Sequence, residues 1–103
     1  MKNIDKFRAK VFNALADPVR LKILEFLRSG ERCVCEIVPY VGTAQPLVSR
    51  HLAILKNYGF VKCRKHKNRR FYSVSDPEVF RVIDVVDASL LNTLSRRVIE
   101  EIA

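Results

Sequence analysis

Two cysteines stand one residue apart in the stretch ERCVCEI, residues 31 to 37, and the 103-residue chain has only one other, Cys63. Such an odd and sparse count argues against a secreted disulfide framework and for thiols that stay reduced, whether buried, reactive or ligating. Thiolates are soft ligands that prefer metals or metalloids such as arsenic(III), antimony(III), zinc and cadmium. Cys33 and Cys35 are therefore the first candidates for chemistry.

The spacing of this pair limits how it can act. In a regular helix, residues two apart project to nearly opposite sides, so both sulfurs can meet one ion only where the segment is frayed or extended. Pro39 gives a local reason for weakening, because its missing amide cannot bond the Cys35 carbonyl and its ring disfavours a helical Val38. A disulfide within the pair would close a very tight ring, so we expect oxidation between subunits or with a small thiol instead.

The positive charge of the chain is concentrated in one segment. No acid occurs between Ile37 and Ser75, whereas the chain as a whole carries 11 acids against 19 basic residues and a net charge of +8. Eight of the basic residues lie in this segment: Arg50, Lys56, Lys62, Arg64, Lys65, Lys67, Arg69 and Arg70. A focused positive patch predicts a polyanionic partner, nucleic acid before a membrane surface.

Hydrophobic periodicity predicts the elements that carry these residues. The first helix covers residues 3 to 15, and the second starts at Asp17 and Pro18, buries Leu21, Leu24 and Leu27, and ends by Gly30. A short third helix is expected over residues 33 to 40. A fourth, over residues 44 to 57, is capped by Thr43, and its apolar stripe faces away from a polar set: Gln45, Ser49, Arg50 and Lys56.

A change to period-two alternation after Gly59 predicts a basic hairpin over residues 60 to 74. Its strands cover residues 60 to 65 and 70 to 74, joined by a polar turn in which Asn68 can tolerate a left-handed backbone. A final helix is predicted over residues 77 to 102. A helix about 40 Å long is long for so small a domain. The far half of this final helix, together with the first helix, is therefore expected to form a symmetric dimer interface.

This order of elements is a mainly α winged helix-turn-helix arrangement in a single domain, residues 1 to 103. The stretches ADPVRLKIL at 16 to 24, ERCVCEI, TAQPLVSRHLAILKNYGFV at 43 to 61 and RRFYSV at 69 to 74 resemble the ArsR/SmtB family of bacterial and archaeal repressors. The resemblance implies a homodimer whose fourth helix enters the major groove while the hairpin, the wing, lies along the flanking backbone. It also implies that Cys33 and Cys35 bind a thiophilic effector such as As(III) or Sb(III).

Physical chemistry assigns roles within that arrangement. Residues near the start of a helix in the major groove reach deepest, which favours Gln45, Ser49 and Arg50 as base or phosphate contacts. Lys56 and the wing residues Lys62, Arg64, Lys67, Arg69 and Arg70 are predicted to neutralise phosphates of an inverted-repeat operator. His51 lies beside the apolar stripe and is expected to be packed and hydrogen-bonded.

The effector site has departures from the family. Arsenical repressors of this type often add a third cysteine, and that position is Val38 here; Cys63 is interpreted as a small packed residue. Asp84 and Asp87 resemble the carboxylates of the zinc-sensing version, yet no histidine follows His66, so a solvated acidic edge is expected. A repressor with a thiol redox switch, or with no effector, therefore stays open.

Other classes of protein are disfavoured. A winged-helix module that binds protein would present apolar residues where Arg50 and the basic hairpin stand. An enzyme is the least expected, because there is no glycine-rich phosphate loop, paired acid and base or complete metal-hydrolase motif. The chain has no apolar run of the length of a membrane span and no signal peptide, so a cytoplasmic protein without a membrane partner is expected.

Overall fold

The computed structural model describes residues 3–94 and residue 101. The helices are α1 (Ile4–Leu15), α2 (Pro18–Leu27), α3 (Val34–Val41), α4 (Gln45–Asn57), α5 (Glu78–Val85) and α6 (Ala88–Thr93). The strands are β1 (Arg32–Cys33), β2 (Val61–His66) and β3 (Arg69–Val74). This order confirms the predicted winged helix-turn-helix, with α4 as its second helix and β2 and β3 as its wing.

A hydrophobic core joins α2, α3 and α4 to the sheet and to α5. Its fully buried side chains are Ile23, Leu24, Ile37, Val48, Leu52 and Leu55. The Asp17 carboxylate caps α2 as predicted, accepting hydrogen bonds from the amides of Val19 (2.8 Å) and Arg20 (3.2 Å). The predicted stripe of α2 is wrong at one position, because Leu21 is exposed while Ile23 takes the buried place.

The antiparallel sheet has a strand that was not predicted. Its order is β1-β3-β2, and β1 pairs Arg32 with Tyr72 and Cys33 with Phe71. The two-residue turn between β2 and β3 places Lys67, rather than Asn68, in the left-handed region at φ +55°. Two residues are too few for periodicity to reveal, so β1 becomes visible only through its pairing with β3.

Helix α3 matches its predicted span to within one residue at each end, whereas one expectation about α4 is wrong. The helix α3 continues through Pro39 to Val41, because Ile37 and Val41 are buried and Tyr40 stacks on Phe26 with ring centroids 4.0 Å apart. Tertiary packing therefore outweighs the lost amide hydrogen bond. Thr43 does not cap α4, since the helix begins one residue later, with Ala44 at the capping position and no side-chain cap.

The predicted long final helix is broken. Helix α5 ends at Val85, and the Asp87 carboxylate starts α6 by accepting a hydrogen bond from the Leu90 amide at 2.9 Å. The side chains of Val85 and Val86 are exposed at 67% and 64%, so no packing among residues 3–94 holds this point in one straight helix. The rest of the predicted helix, beyond Leu94, falls largely outside the described residues.

No helix in the described part of the chain is both long and apolar enough to cross a membrane.

Candidate nucleic-acid interface and thiol pair

Helix α4 separates an apolar face from a polar one. Val48, Leu52 and Leu55 are buried against the core. The predicted contact residues are all exposed on the other faces: Gln45, Ser49, Arg50 and Lys56. The amphipathic pattern thus presents the first turns of α4 to solvent, as a helix that enters a groove requires.

The wing adds a second basic surface. Its two strands pair from Val61 with Val74 to His66 with Arg69, and a two-residue turn joins them. Four of its predicted cations are exposed and, among residues 3–94, have no acid within ion-pair distance: Lys62, Lys67, Arg69 and Arg70. These charges remain available to an anionic partner.

Arg64 differs from the other cations of the wing. Its guanidinium donates from Nε and Nη2 to the two carboxylate oxygens of Glu31, at 2.8 and 2.7 Å, and lies 4.7 Å from the Phe71 ring centroid. The hydrogen bond from Arg64 holds the pKa of Glu31 below its usual value. The predicted phosphate contact is therefore already paired with an acid from outside the basic segment.

A groove of about 560 Å³ lies between α3, the start of α4 and the wing. It brings together the two cysteines and four of the predicted DNA contacts, namely Gln45, Ser49, Arg69 and Arg70. Leu52 and Tyr72 also line the groove, as does Asn68 from the turn. Arg50, Lys56, Lys62, Arg64 and Lys67 are not part of its lining. The groove juxtaposes thiols and candidate DNA contacts that lie far apart in the sequence.

The two cysteines meet at the start of α3. Cys33 precedes the helix with an extended backbone (φ −72°, ψ 146°), and Cys35 lies in the first turn, with their Cα atoms 5.1 Å apart. This extended residue turns the Cys33 side chain toward Cys35, and the two sulfurs are bonded to each other. The opposed directions expected in a regular helix do not apply, and the expectation against a disulfide within the pair is wrong for this structure.

Local hydrogen bonds fix the backbone around the thiol pair. The Glu36 carboxylate accepts from the Cys33 amide at 3.0 Å, and the Cys33 sulfur accepts from the Cys35 amide at 3.1 Å. Arg32 forms an ion pair with Glu36 at 3.5 Å. The sequence signal for this cap is a glutamate three residues after Cys33, the spacing of a capping box, although the cap was not predicted.

The structure does not supply a third cysteine ligand. Cys63 lies on β2, two strands away from Cys33 on β1, which separates their backbones by about 10 Å. It is half-buried and packs against the core, as predicted. Among the described residues, no group of three or more His, Cys, Asp or Glu side chains is placed to hold a metal ion.

The carboxylates that resemble a zinc site have structural partners instead. Asp84 receives two hydrogen bonds from Arg28, at 2.9 and 2.8 Å, and Asp87 caps α6. Both carboxylates are exposed, as expected for a solvated acidic edge, and each also has a structural role. Tyr72, which was not predicted to belong to the site, lines the groove, and burial beside Cys63 raises the pKa of its phenol. Alternation in RFYSV could have placed it on the inner face.

Comparison with known proteins identifies similar regulators. A probable mercury resistance operon repressor of Streptomyces lividans is 47% identical over 78 residues, 76% of this chain and 60% of the relative. A CadC homolog from Staphylococcus aureus, a cadmium resistance transcriptional regulatory protein, is 39% identical over 77 residues, 74% of this chain and 64% of the relative. The chain thus spans less than two thirds of the length of these two curated relatives.

A solved homodimeric winged helix-turn-helix DNA-binding domain from Mycobacterium bovis, described as a possible ArsR-family regulator, has the same fold. It superposes with a TM-score of 0.75 at 31% identity, covering 91% of this chain and 87% of that one. The family described as bacterial regulatory protein, arsR family, matches residues 17–62, which include the thiol pair and all of α4. The chain therefore belongs to the arsR family of bacterial regulatory proteins, whose members are DNA-binding winged helix-turn-helix transcriptional regulators and not enzymes.

Proposed function

We propose that this chain is a homodimeric, sequence-specific transcriptional repressor that a thiophilic metal or metalloid releases from its operator. Helix α4 enters the major groove, where Gln45, Ser49 and Arg50 contact bases or adjacent phosphates. The unpaired cations of the wing and Lys56 neutralise the flanking backbone. Two helices related by a twofold axis then read an inverted repeat with half-site centres about 34 Å apart, or a multiple of that.

The observation that carries this proposal is the shared groove. The cysteines line the same space as Gln45, Ser49, Arg69 and Arg70. An effector held by the two sulfurs would lie beside the side chains that approach DNA, and any change at the start of α3 would reach α4 and the wing directly. Binding of DNA and of effector must then oppose each other reciprocally, because each favours a different arrangement of one groove.

The donor set of the pair limits the class of effector. A thiol reductant that transfers two electrons would cleave the bond between the sulfurs, and the two thiols would then lose their protons on binding one soft ion. The mercury and cadmium relatives support thiophilic metal ions as candidates beside arsenite and antimonite. The helix start also favours thiolates, since its free amides and dipole stabilise negative charge.

A redox switch is the second candidate, and the bonded sulfurs of Cys33 and Cys35 favour it. Oxidation would join two thiols, with loss of two protons and two electrons to an oxidant such as peroxide. A disulfide and a bound ion would therefore compete for the same sulfurs.

The test is a DNA titration with the reduced protein. An operator is first selected from a random duplex pool, and its affinity is then measured with arsenite, mercury(II), cadmium or peroxide added in turn. We expect a soft metal or metalloid to lower the affinity at least about fivefold, the low end of typical allosteric coupling. Release by peroxide alone would favour the redox switch.

The matched variant replaces both sulfurs, as Cys33→Ser with Cys35→Ser. It should retain DNA affinity and lose the response, whereas Cys63→Ser should retain both. Unchanged release in the double variant would exclude the pair as the sensor, and lack of operator preference in the unmodified protein would exclude the repressor itself.

A further inference from the structure

Arg20 joins three helices through one side chain. It lies in the first turn of α2, and its Nε and Nη2 donate hydrogen bonds to the carbonyls of Ala14 (2.6 Å) and Asn13 (3.1 Å) in the last turn of α1. Its Nη1 lies 3.2 Å from Nδ1 of His51 on α4. Because a guanidinium is a rigid planar fork, these three contacts fix the end of α1 relative to the middle of α4.

His51 has a buried position that suits it to this contact. It is the one polar side chain among the buried residues of the described part of the chain, and it is 9% exposed. Arginine has no acceptor, so Nδ1 must accept the hydrogen bond, which assigns the ring proton of a neutral imidazole to Nε2. The Asp17 carboxylate lies 3.9 Å from the same nitrogen, Nδ1, which also contacts the Arg20 guanidinium. The expectation of a packed, hydrogen-bonded histidine is confirmed.

The other end of α4 is also connected to α1. The Asn13 side-chain amide donates to the Tyr58 hydroxyl at 3.3 Å, and Tyr58 directly follows α4. Asn13 thus contacts Arg20 through its carbonyl and Tyr58 through its side chain. The end of α1 therefore touches the polar groups that fix α4 at two points along its length.

We propose that Arg20 and His51 are a positioning pair that sets the angle of α4 relative to α1. The inference rests on the proposed function, in which a homodimer reads the operator with α4, and on the predicted position of the first helix at the dimer interface. A dimer must present two reading helices at one separation and angle, whereas non-specific binding requires only positive charge near phosphates. The pair thus supports specificity without touching DNA.

The test compares variants that break or preserve the contact. Arg20→Lys keeps the charge but offers one nitrogen instead of a three-nitrogen fork, and His51→Leu removes the acceptor. His51→Asn keeps an acceptor close to the position of Nδ1 and serves as the matched control. Affinities for the selected operator and for an unrelated duplex are measured at one salt concentration, together with dimer dissociation and the unfolding midpoint.

We expect Arg20→Lys and His51→Leu each to lower the ratio of operator to non-specific affinity by about tenfold, with the double variant no worse than either single. Binding to the unrelated duplex should stay within about twofold, and His51→Asn should restore most of the ratio. If the pair had a merely structural role, the substitutions would lower the unfolding midpoint and weaken binding to both duplexes equally.

Three results would overturn the positioning role. These are an unchanged ratio of operator to non-specific affinity in both Arg20→Lys and His51→Leu, strictly additive losses of that ratio in the double variant, or equal weakening of binding to both duplexes. If His51→Leu does not fold, Arg20→Lys, Arg20→Gln and His51→Asn decide the question in the same way. An unmodified protein without operator preference would refute the proposed function, whereas a preference retained by every variant refutes only the role of the pair.

Discussion

The cations of the wing differ in whether an acid is bound to them, and this difference decides which of them can contact phosphate. Arg69 and Arg70 line the groove beside the start of α4, while Arg64 is bound to Glu31 by two hydrogen bonds. The lowered pKa of Glu31 means that the pair is intact above the pKa of an unfolded glutamate and is lost as pH falls through the lower folded value. At neutral pH the pair is therefore ionised on both sides.

Arg70→Ala should weaken binding to every duplex. The slope of log affinity against log salt concentration should become shallower by about 0.9 for each phosphate that is no longer neutralised, or about 1.8 for a dimer. The matched variant is Arg64→Ala with Glu31→Ala, which removes a paired cation together with its acid. It should leave the slope close to that of the unmodified protein. The measurement is the affinity for one duplex between 50 and 200 mM salt, and equal slopes for both variants would contradict the distinction.

At the scale of elements, polar contacts attach α5 to the body of the domain. Arg28, at the end of α2, donates two hydrogen bonds to Asp84 and lies 4.4 Å from the Phe80 ring centroid. The hydrogen bonds from Arg28 lower the pKa of Asp84. A lowered carboxylate pKa contributes stability above the unfolded value of about 3.9, and this contribution is lost as pH falls through the folded value.

Asp84→Asn should therefore lower the unfolding midpoint at pH 7 by a small but measurable amount, and the gap to the unmodified protein should close below about pH 4. High salt should narrow the gap as well, because the pair is exposed. Glu78→Gln is the control, since its ion pair with Arg81 stays within α5. Thermal unfolding followed from pH 7 to pH 3 checks this, and a gap that does not change with pH would contradict it.

At the scale of the whole molecule, several apolar side chains of α1 and α5 are exposed to solvent. Phe7 and Phe12 are exposed at 52% and 58%, and a groove of about 380 Å³ runs from Phe7 and Val11 to Val79 and Val82. Contiguous exposed apolar surface of this kind marks an interaction site. In the proposed homodimer, a second copy of the chain is the expected occupant, because a twofold dimer presents two α4 helices.

Phe7→Gln should shift the chain toward monomers and weaken operator binding far more than binding to a single half-site. In a dimer, binding of one protomer to its half-site raises the effective concentration of the other protomer at the second half-site. Lys6→Gln, an exposed change in the same helix, should leave the dimer intact. Sedimentation at micromolar concentration measures this, and a Phe7→Gln protein that remains fully dimeric would place the interface elsewhere.

The local elements followed from the sequence because their causes are local. The period of Val48, Leu52 and Leu55 fixed the polar face of α4, and Asp17 with Pro18 fixed the start of α2. The absence of acids between Ile37 and Ser75 located the basic surface. Prediction failed at Leu21, because the spacing of the apolar residues in α2 did not show that Ile23 would take the buried place.

The sequence by itself determined the first four helices and the wing in their order, the basic segment and the identity of the two thiols. Only the tertiary structure decided which distant side chains meet: Glu31 with Arg64, Arg28 with Asp84, Arg20 with His51, and the cysteines with the start of α4. The physical reason is that periodicity and capping act over a few residues, whereas ion pairs and grooves depend on how the elements pack. The two-residue strand β1 belongs to the same class, since its pairing with β3 defines it, whereas the helix break has a local cause in the Asp87 cap.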